Sequence, residues 1–107
     1  MTNYTTKLAS ATDAAITFAH LIGARVTDNH AHYGDNYAAT DEPWPVLVDA
    51  TTGVAIVDFL PNEDGVGYYV TMYRYSDDDM TDYLCCIDEL VANAASAVRF
   101  LLNEHLG

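Results

Sequence analysis

The sequence predicts an α+β domain: an N-terminal helix, a three-stranded antiparallel meander and a long C-terminal helix (α-β-β-β-α), with the helices on one face of the sheet. Two observations carry this prediction. Apolar residues recur at three- and four-residue steps near both ends of the chain, the period of a helix with one buried stripe. Between these segments lie three apolar or alternating runs, joined by turns short enough to dictate antiparallel pairing.

Residues 4–22 read as the first helix, with Leu8, Ala11, Ala15, Phe18, Ala19 and Ile22 in one stripe. Asn3 is its expected N-cap and Gly23 its C-terminal stop. Residues 24–45 have no clear period; Val26 is placed to begin a short edge strand, but Asn, Asp and Gly dominate. Trp44 sits between Pro43 and Pro45, which favours extended backbone there. It is expected to cap one end of the core, with a partner anchor as the alternative.

The three strands are Val46–Ala50, Val54–Leu60 and Gly67–Tyr75. Thr51-Thr52-Gly53 and Pro61–Gly65 are the turns, the second carrying the Asp64-Gly65 pair. The middle strand is apolar on both faces except at Asp58, so it is expected at the centre. Alternation divides the third strand into a core side of Tyr68, Val70 and Met72 and an outer side of Tyr69, Thr71, Tyr73 and Tyr75.

Residues 77–106 read as one long helix. Met80, Leu84, Ile87, Val91, Ala94, Val98 and Leu101 form its stripe, with Leu90 and Leu102 at the edges and Asp78, Asp82, Glu89, Asn93, Ser96 and Asn103 opposite. Ser76 or Asp77 is the expected N-cap, and Cys85-Cys86 or Asn93 the place for a kink. Phe100 falls on the polar side. It is expected either to anchor a homodimer or another partner, or to be buried by a bend in the tail.

At 107 residues the chain is one domain, and with half its residues apolar it is not disordered. No apolar run approaches the roughly 20 residues of a membrane span. Met1-Thr2-Asn3-Tyr4 lacks the basic and apolar regions of a secretory signal. Adjacent Cys85 and Cys86 make no disulfide framework, so a reducing cytoplasm is expected.

Charge is the most informative property. Sixteen acids stand against four bases, a net charge of −12. Residues 1–40 hold three acids and two bases, whereas residues 41–107 hold thirteen acids and two bases. Direct binding to DNA, RNA or an anionic membrane is disfavoured, because phosphate recognition needs a basic footprint. A basic protein partner is favoured through complementary fields. Twelve Asp, four Glu and a single Lys also fit a salt-adapted protein whose acidity serves solubility alone.

The tyrosine side of the third strand runs directly into Asp77, Asp78 and Asp79, followed by Asp82. One or two acids complement a helix N-terminus by about 0.3–1 kcal/mol each. Four so close repel one another, so more than capping is expected of them. On a helix, Asp78 and Asp82 would lie about 6 Å apart and Asp82 and Glu89 about 10 Å. With Glu63, Asp64 and Asp58 these would form a sparse carboxylate row, beside tyrosines able to stack on arginine. The expected partner-binding set is Glu63, Asp64, Tyr69, Tyr73, Tyr75, Asp77, Asp78, Asp79, Asp82 and Glu89.

No catalytic signature accompanies this surface. A Gly-x-Ser-x-Gly elbow, a P-loop, a dinucleotide fingerprint and a His-Glu-x-x-His pair are all missing, so no catalytic residue and no cofactor is assigned. His30 and His32, with Asp28 or Asp35, do not reach the four-ligand spacing of zinc modules and read as solvated loop histidines. A small enzyme using that loop is the catalytic alternative. Cys85 and Cys86 on a helix cannot face one metal and read as buried or half-buried thiols.

The order α-β-β-β-α is also that of double-stranded-RNA-binding domains. Those require lysines at the start of the second helix, where this chain has Asp77-Asp78-Asp79, so that function is rejected. In size, charge, expected helix–sheet–helix order and the acid clusters at Glu63-Asp64 and Asp77–Asp82, the chain resembles small acidic inhibitors encoded by phages. These include anti-CRISPR proteins and DNA mimics. The resemblance implies a non-enzymatic inhibitor, acting in a host cytoplasm, that occupies the nucleic-acid-binding surface of a basic protein such as a CRISPR effector or a restriction enzyme. The alternative is an acidic immunity protein or secretion-chaperone-like module that covers a toxin or effector through Phe100, Trp44 and the tyrosine side.

Overall fold

The computed structural model of the protein describes residues 4–38 and 40–106; the expected cap at Asn3 lies outside them. Helix α1 spans Tyr4–Ile22, and Gly23 ends it in the left-handed conformation (φ 74°). The Ala24 amide then reaches back to the Ala19 carbonyl at 2.9 Å, a Schellman closure. Strand β1 (Arg25–Asp28) follows, then a short helix α2 (Asn29–Tyr33) and a 3₁₀ turn at Asp35–Tyr37. Strands β2 (Pro45–Val48), β3 (Ala55–Pro61), β4 (Tyr68–Tyr75) and β5 (Tyr83–Val91) lead into helix α3 (Ala94–Leu106). All five strands pair antiparallel in sequence order, so β3 is central as expected.

The fold is therefore α+β, but the sheet has five strands where the sequence reading expects three. Val26 does lie in an edge strand, β1, paired with Leu47 of β2. The larger correction concerns residues 77–91, which form a loop and a strand instead of the first half of a long helix. Met80, Leu84, Ile87 and Val91 fit helical spacing, but Tyr83, Cys85, Cys86 and Ile87 also suit a strand. Pairing along the whole of β4, from Tyr68↔Val91 to Tyr75↔Tyr83, decides between the two. A bulge at Leu84 interrupts that ladder near its start.

The helix begins only at α3, where the Asn93 side chain accepts the Ser96 amide at 2.9 Å. Its separate phase gives Phe100 an intrachain home: the residue is 8 % exposed and joins the core. Trp44 is fully buried as well. Both are thereby removed from the list of partner anchors. The thiols move the other way, since Cys85 and Cys86 lie exposed on the edge strand.

Helices α1 and α3 pack on one face of the sheet. Phe18, Ala15 and Ala11 from α1 and Leu101 from α3 meet Leu47, Val57, Phe59, Tyr68 and Val70 in one cluster. At Gly67 (φ 85°) a Cβ would stand 2.1 Å from the Val91 carbonyl oxygen, so only glycine admits the end of β5. The single lysine, Lys7, is 8 % exposed and donates to the carbonyls of Asn62 (2.7 Å) and Gly65 (2.5 Å), tying α1 to the β3–β4 turn. Among the described residues, no helix is long and apolar enough to cross a membrane.

Candidate functional site: the tyrosine face of the sheet

The second face of the sheet carries no long helix. Antiparallel partners share a face, and the register therefore assembles this surface from Val46, Val48, Ala55, Asp58, Tyr69, Tyr73, Tyr75 and residues of β5. Val46, Val48 and Ala55 make a small buried cluster against which Tyr73 packs. Asp58 is the lone charge of β3, opposite Thr71 of β4.

The stretch expected to be irregular closes over part of this face. Asp28 caps α2 by accepting the Ala31 amide at 2.8 Å. Buried Asn29 clasps the chain ends of the loop: its carbonyl-side oxygen accepts the Trp44 amide at 3.0 Å, and its own amide donates to the Trp44 carbonyl at 2.9 Å. That clasp holds Tyr33 over Asp58, to which its hydroxyl donates at 2.9 and 3.2 Å. Tyr73 donates to the same carboxylate from β4, and Tyr75 donates to the Ala55 carbonyl at 2.7 Å. Burial first, and then the Asp58 charge, pushes the Tyr33 phenol far above its ordinary value. Burial and the hydrogen bond to Asp58 do the same to Tyr73. Both therefore remain neutral donors at any physiological pH.

Beside these rings lies an open cavity of about 530 Å³, bounded chiefly by His32, Tyr33, Tyr73, Tyr75 and Tyr83. The Tyr83 ring centre is 6.2 Å from that of Tyr73, tilted to it, and 6.1 Å from that of Tyr75, edge-on to it. His32 stands edge-on to Tyr33 at 4.6 Å. Sequence reasoning finds Tyr73 and Tyr75 here, and Tyr69 farther along the same face, but misses Tyr33, Tyr83 and His32. The isolated charge of Asp58 in an apolar strand is the one signal that marks the spot.

The expected acids lie around this face and not in a helical row. Asp77, Asp78, Asp79 and Asp82 form the β4–β5 loop, while Glu63 and Asp64 are exposed in the β3–β4 turn at the other end of β4. The two clusters are thus a strand length apart, on the order of 25 Å. Asp82 and Glu89 span most of β5, about 23 Å at strand rise and not the 10 Å of a helix. Glu89 pairs with Val70 and so belongs to the helix-side face, though it is exposed. Within the loop, Asp77 accepts the Thr81 hydroxyl and the amides of Asp82 (3.0 Å) and Thr81 (3.0 Å), and these bonds, the hydroxyl first, hold its carboxyl below the usual range. Met80 takes a left-handed conformation there (φ 59°). Asp77 therefore caps a turn and not a helix.

The remaining expectations resolve locally. His30 meets the Thr40 carbonyl at 2.8 Å and Asp35 at 3.3 Å, which makes it a loop brace. Among the described residues, no group of three or more His, Cys, Asp or Glu is arranged to hold a metal ion. A separate cavity of about 350 Å³ opens at the C-terminal end of α3, where Arg74 pairs with Glu104 at 3.1 Å beside His105 and Phe18. No family model matches this chain, and neither the curated proteins nor the solved structures contain a significant match to it.

Proposed function

We propose that the protein is a non-enzymatic binding protein that occupies a basic, nucleic-acid-binding surface of another protein, in the manner of a DNA mimic, with a CRISPR effector or restriction enzyme as the kind of target. One observation carries the reading. The β4–β5 hairpin exposes Asp78, Asp79 and Asp82, and the ion pairs among the described residues, Arg74–Glu104 and His30–Asp35, neutralise none of them. A protein with this charge and this little internal compensation meets a positive surface at a rate that rises steeply as salt falls. Tyr73, Tyr75 and Tyr83 of the tyrosine face lie on the same hairpin and supply aromatic contact area beside these carboxylates. An immunity-protein or chaperone-like mode would have to use that face alone, since Trp44 and Phe100 lie in the core.

The test is capture from nuclease-treated host lysate, followed by elution with either salt or duplex DNA. The reading expects a nucleic-acid-binding protein released by both. A partner that resists both, retained through apolar contact, contradicts it in favour of the immunity or chaperone mode.

A further inference from the structure

We propose that the cavity bounded by Tyr33, Tyr73, Tyr75, Tyr83 and His32 is a receptor for the guanidinium of an arginine side chain. This deepens the basic-partner reading by naming what the open sheet face takes from such a partner. The cavity, at about 530 Å³, falls within the ~300–1,000 Å³ of small-molecule clefts, yet it opens to solvent and suits the end of a side chain entering from outside.

The chemistry of its wall selects the occupant. The hydroxyls of Tyr33 and Tyr73 are committed to Asp58, and that of Tyr75 to the Ala55 carbonyl. What these three residues leave for a ligand is ring surface, with its negative quadrupole face; the Tyr83 ring and hydroxyl and the His32 ring complete the aromatic lining. Behind two of the rings, outside the residues that line the cavity, stands the Asp58 carboxylate, which accepts from both hydroxyls and contributes negative potential from there. No lysine or arginine lines the cavity; Arg25 approaches only its margin, with Nη2 3.9 Å from where a Cβ on Gly53 would stand. The rest of the chain contributes a field of the same sign, at a net charge of −12.

An anion is thus repelled, and a neutral apolar group gains nothing from the charge. An organic cation gains from both the rings and the carboxylate. Among cations, guanidinium is planar, stacks on aromatic faces and sheds water more readily than an ammonium.

The experiment is an NMR titration of the intact protein with N-acetyl-arginine amide, following the tyrosine ring signals. N-acetyl-citrulline amide, which has the same shape without the charge, and N-acetyl-lysine amide serve as the comparison probes. The expected result is saturable shifts at Tyr33, Tyr73, Tyr75 and Tyr83, with citrulline bound about fivefold more weakly and lysine between the two. Tyr83→Leu should reduce arginine binding to the citrulline level, whereas Tyr83→Phe, which keeps the ring, should retain it. Equal affinity for arginine and citrulline overturns the proposal, as do shifts confined to the Asp77–Asp82 loop or lysine binding tighter than arginine. Because the probe is a single amide, this assay does not depend on the acidic loop or on a protein partner. Loss of partner capture by itself leaves the cavity's result intact, and failure of the titration leaves the salt-dependent capture to be judged separately.

Discussion

Tyr68 and Tyr73 stand five positions apart on β4 and show how differently the two faces of one sheet use the same side chain. Tyr68 is fully buried among Trp44 and Phe59, with ring centres 6.2 and 6.3 Å away, and its hydroxyl meets Ser10 at 3.0 Å. Its ring and its polar tip are both used within the molecule. Tyr73 is half-buried, gives its hydroxyl to Asp58 and keeps ring surface facing a cavity. The helix side of the sheet is built to exclude water. On the open side Tyr33, Tyr73 and Tyr75 satisfy their hydroxyls internally and leave ring surface facing a cavity; this is the surface proposed above to meet a positively charged partner.

The comparison predicts unequal costs of truncation. Phe59→Ala, on the helix side, should destabilise the fold by about 3–5 kcal/mol in chemical denaturation, while Tyr69→Ala on the open side should change stability by about 0.5 kcal/mol or less. Similar losses for both would end the distinction between the faces. Lys7→Met comes next, at about 2 kcal/mol, because the Asn62 and Gly65 carbonyls lose a charged donor while the methylene stem is kept.

Removing one hydroxyl from the open face, as in Tyr73→Phe, should cost about 1–2 kcal/mol, because a single tyrosine is left to solvate Asp58. The same pair predicts a pH signature. Both phenols are raised in the folded state, so it holds protons that the unfolded state releases above pH of about 10. The contribution of these two phenols is then constant below pH of about 10 and declines as pH rises above it, since the unfolded state binds fewer protons. Thermal unfolding of the Tyr33→Phe/Tyr73→Phe protein should show a flatter alkaline decline than wild type. The smallest effect is expected at Leu84→Ser, on the exposed bulge of β5, where stability should shift by less than about 0.5 kcal/mol.

The N-terminal helix, the central three strands and the division of β4 into two faces were all legible, because each rests on a period set by its own residues. Leu8, Ala11, Ala15, Phe18, Ala19 and Ile22 need only one another to mark a stripe, and Tyr68, Val70 and Met72 only alternation. Residues 77–91 were not legible, because their apolar spacing satisfies both periods and an eight-residue ladder with β4 makes the choice. The helical carboxylate row failed with it. The cavity was legible in part: Tyr73 and Tyr75 come from alternation, but Tyr33 arrives through the Asn29–Trp44 clasp, which joins residues fifteen apart through a buried amide. No local pattern announces such a bond.

The most direct test of a functional acidic hairpin is the salt dependence of partner capture by wild type and by the Asp77→Asn/Asp78→Asn/Asp79→Asn/Asp82→Asn protein. Circular dichroism and thermal unfolding would verify that the variant retains its fold. The account predicts that wild type releases its partner progressively as salt rises and that the folded quadruple variant captures little at any salt. Undiminished capture by the variant, with the same salt profile as wild type, would contradict it.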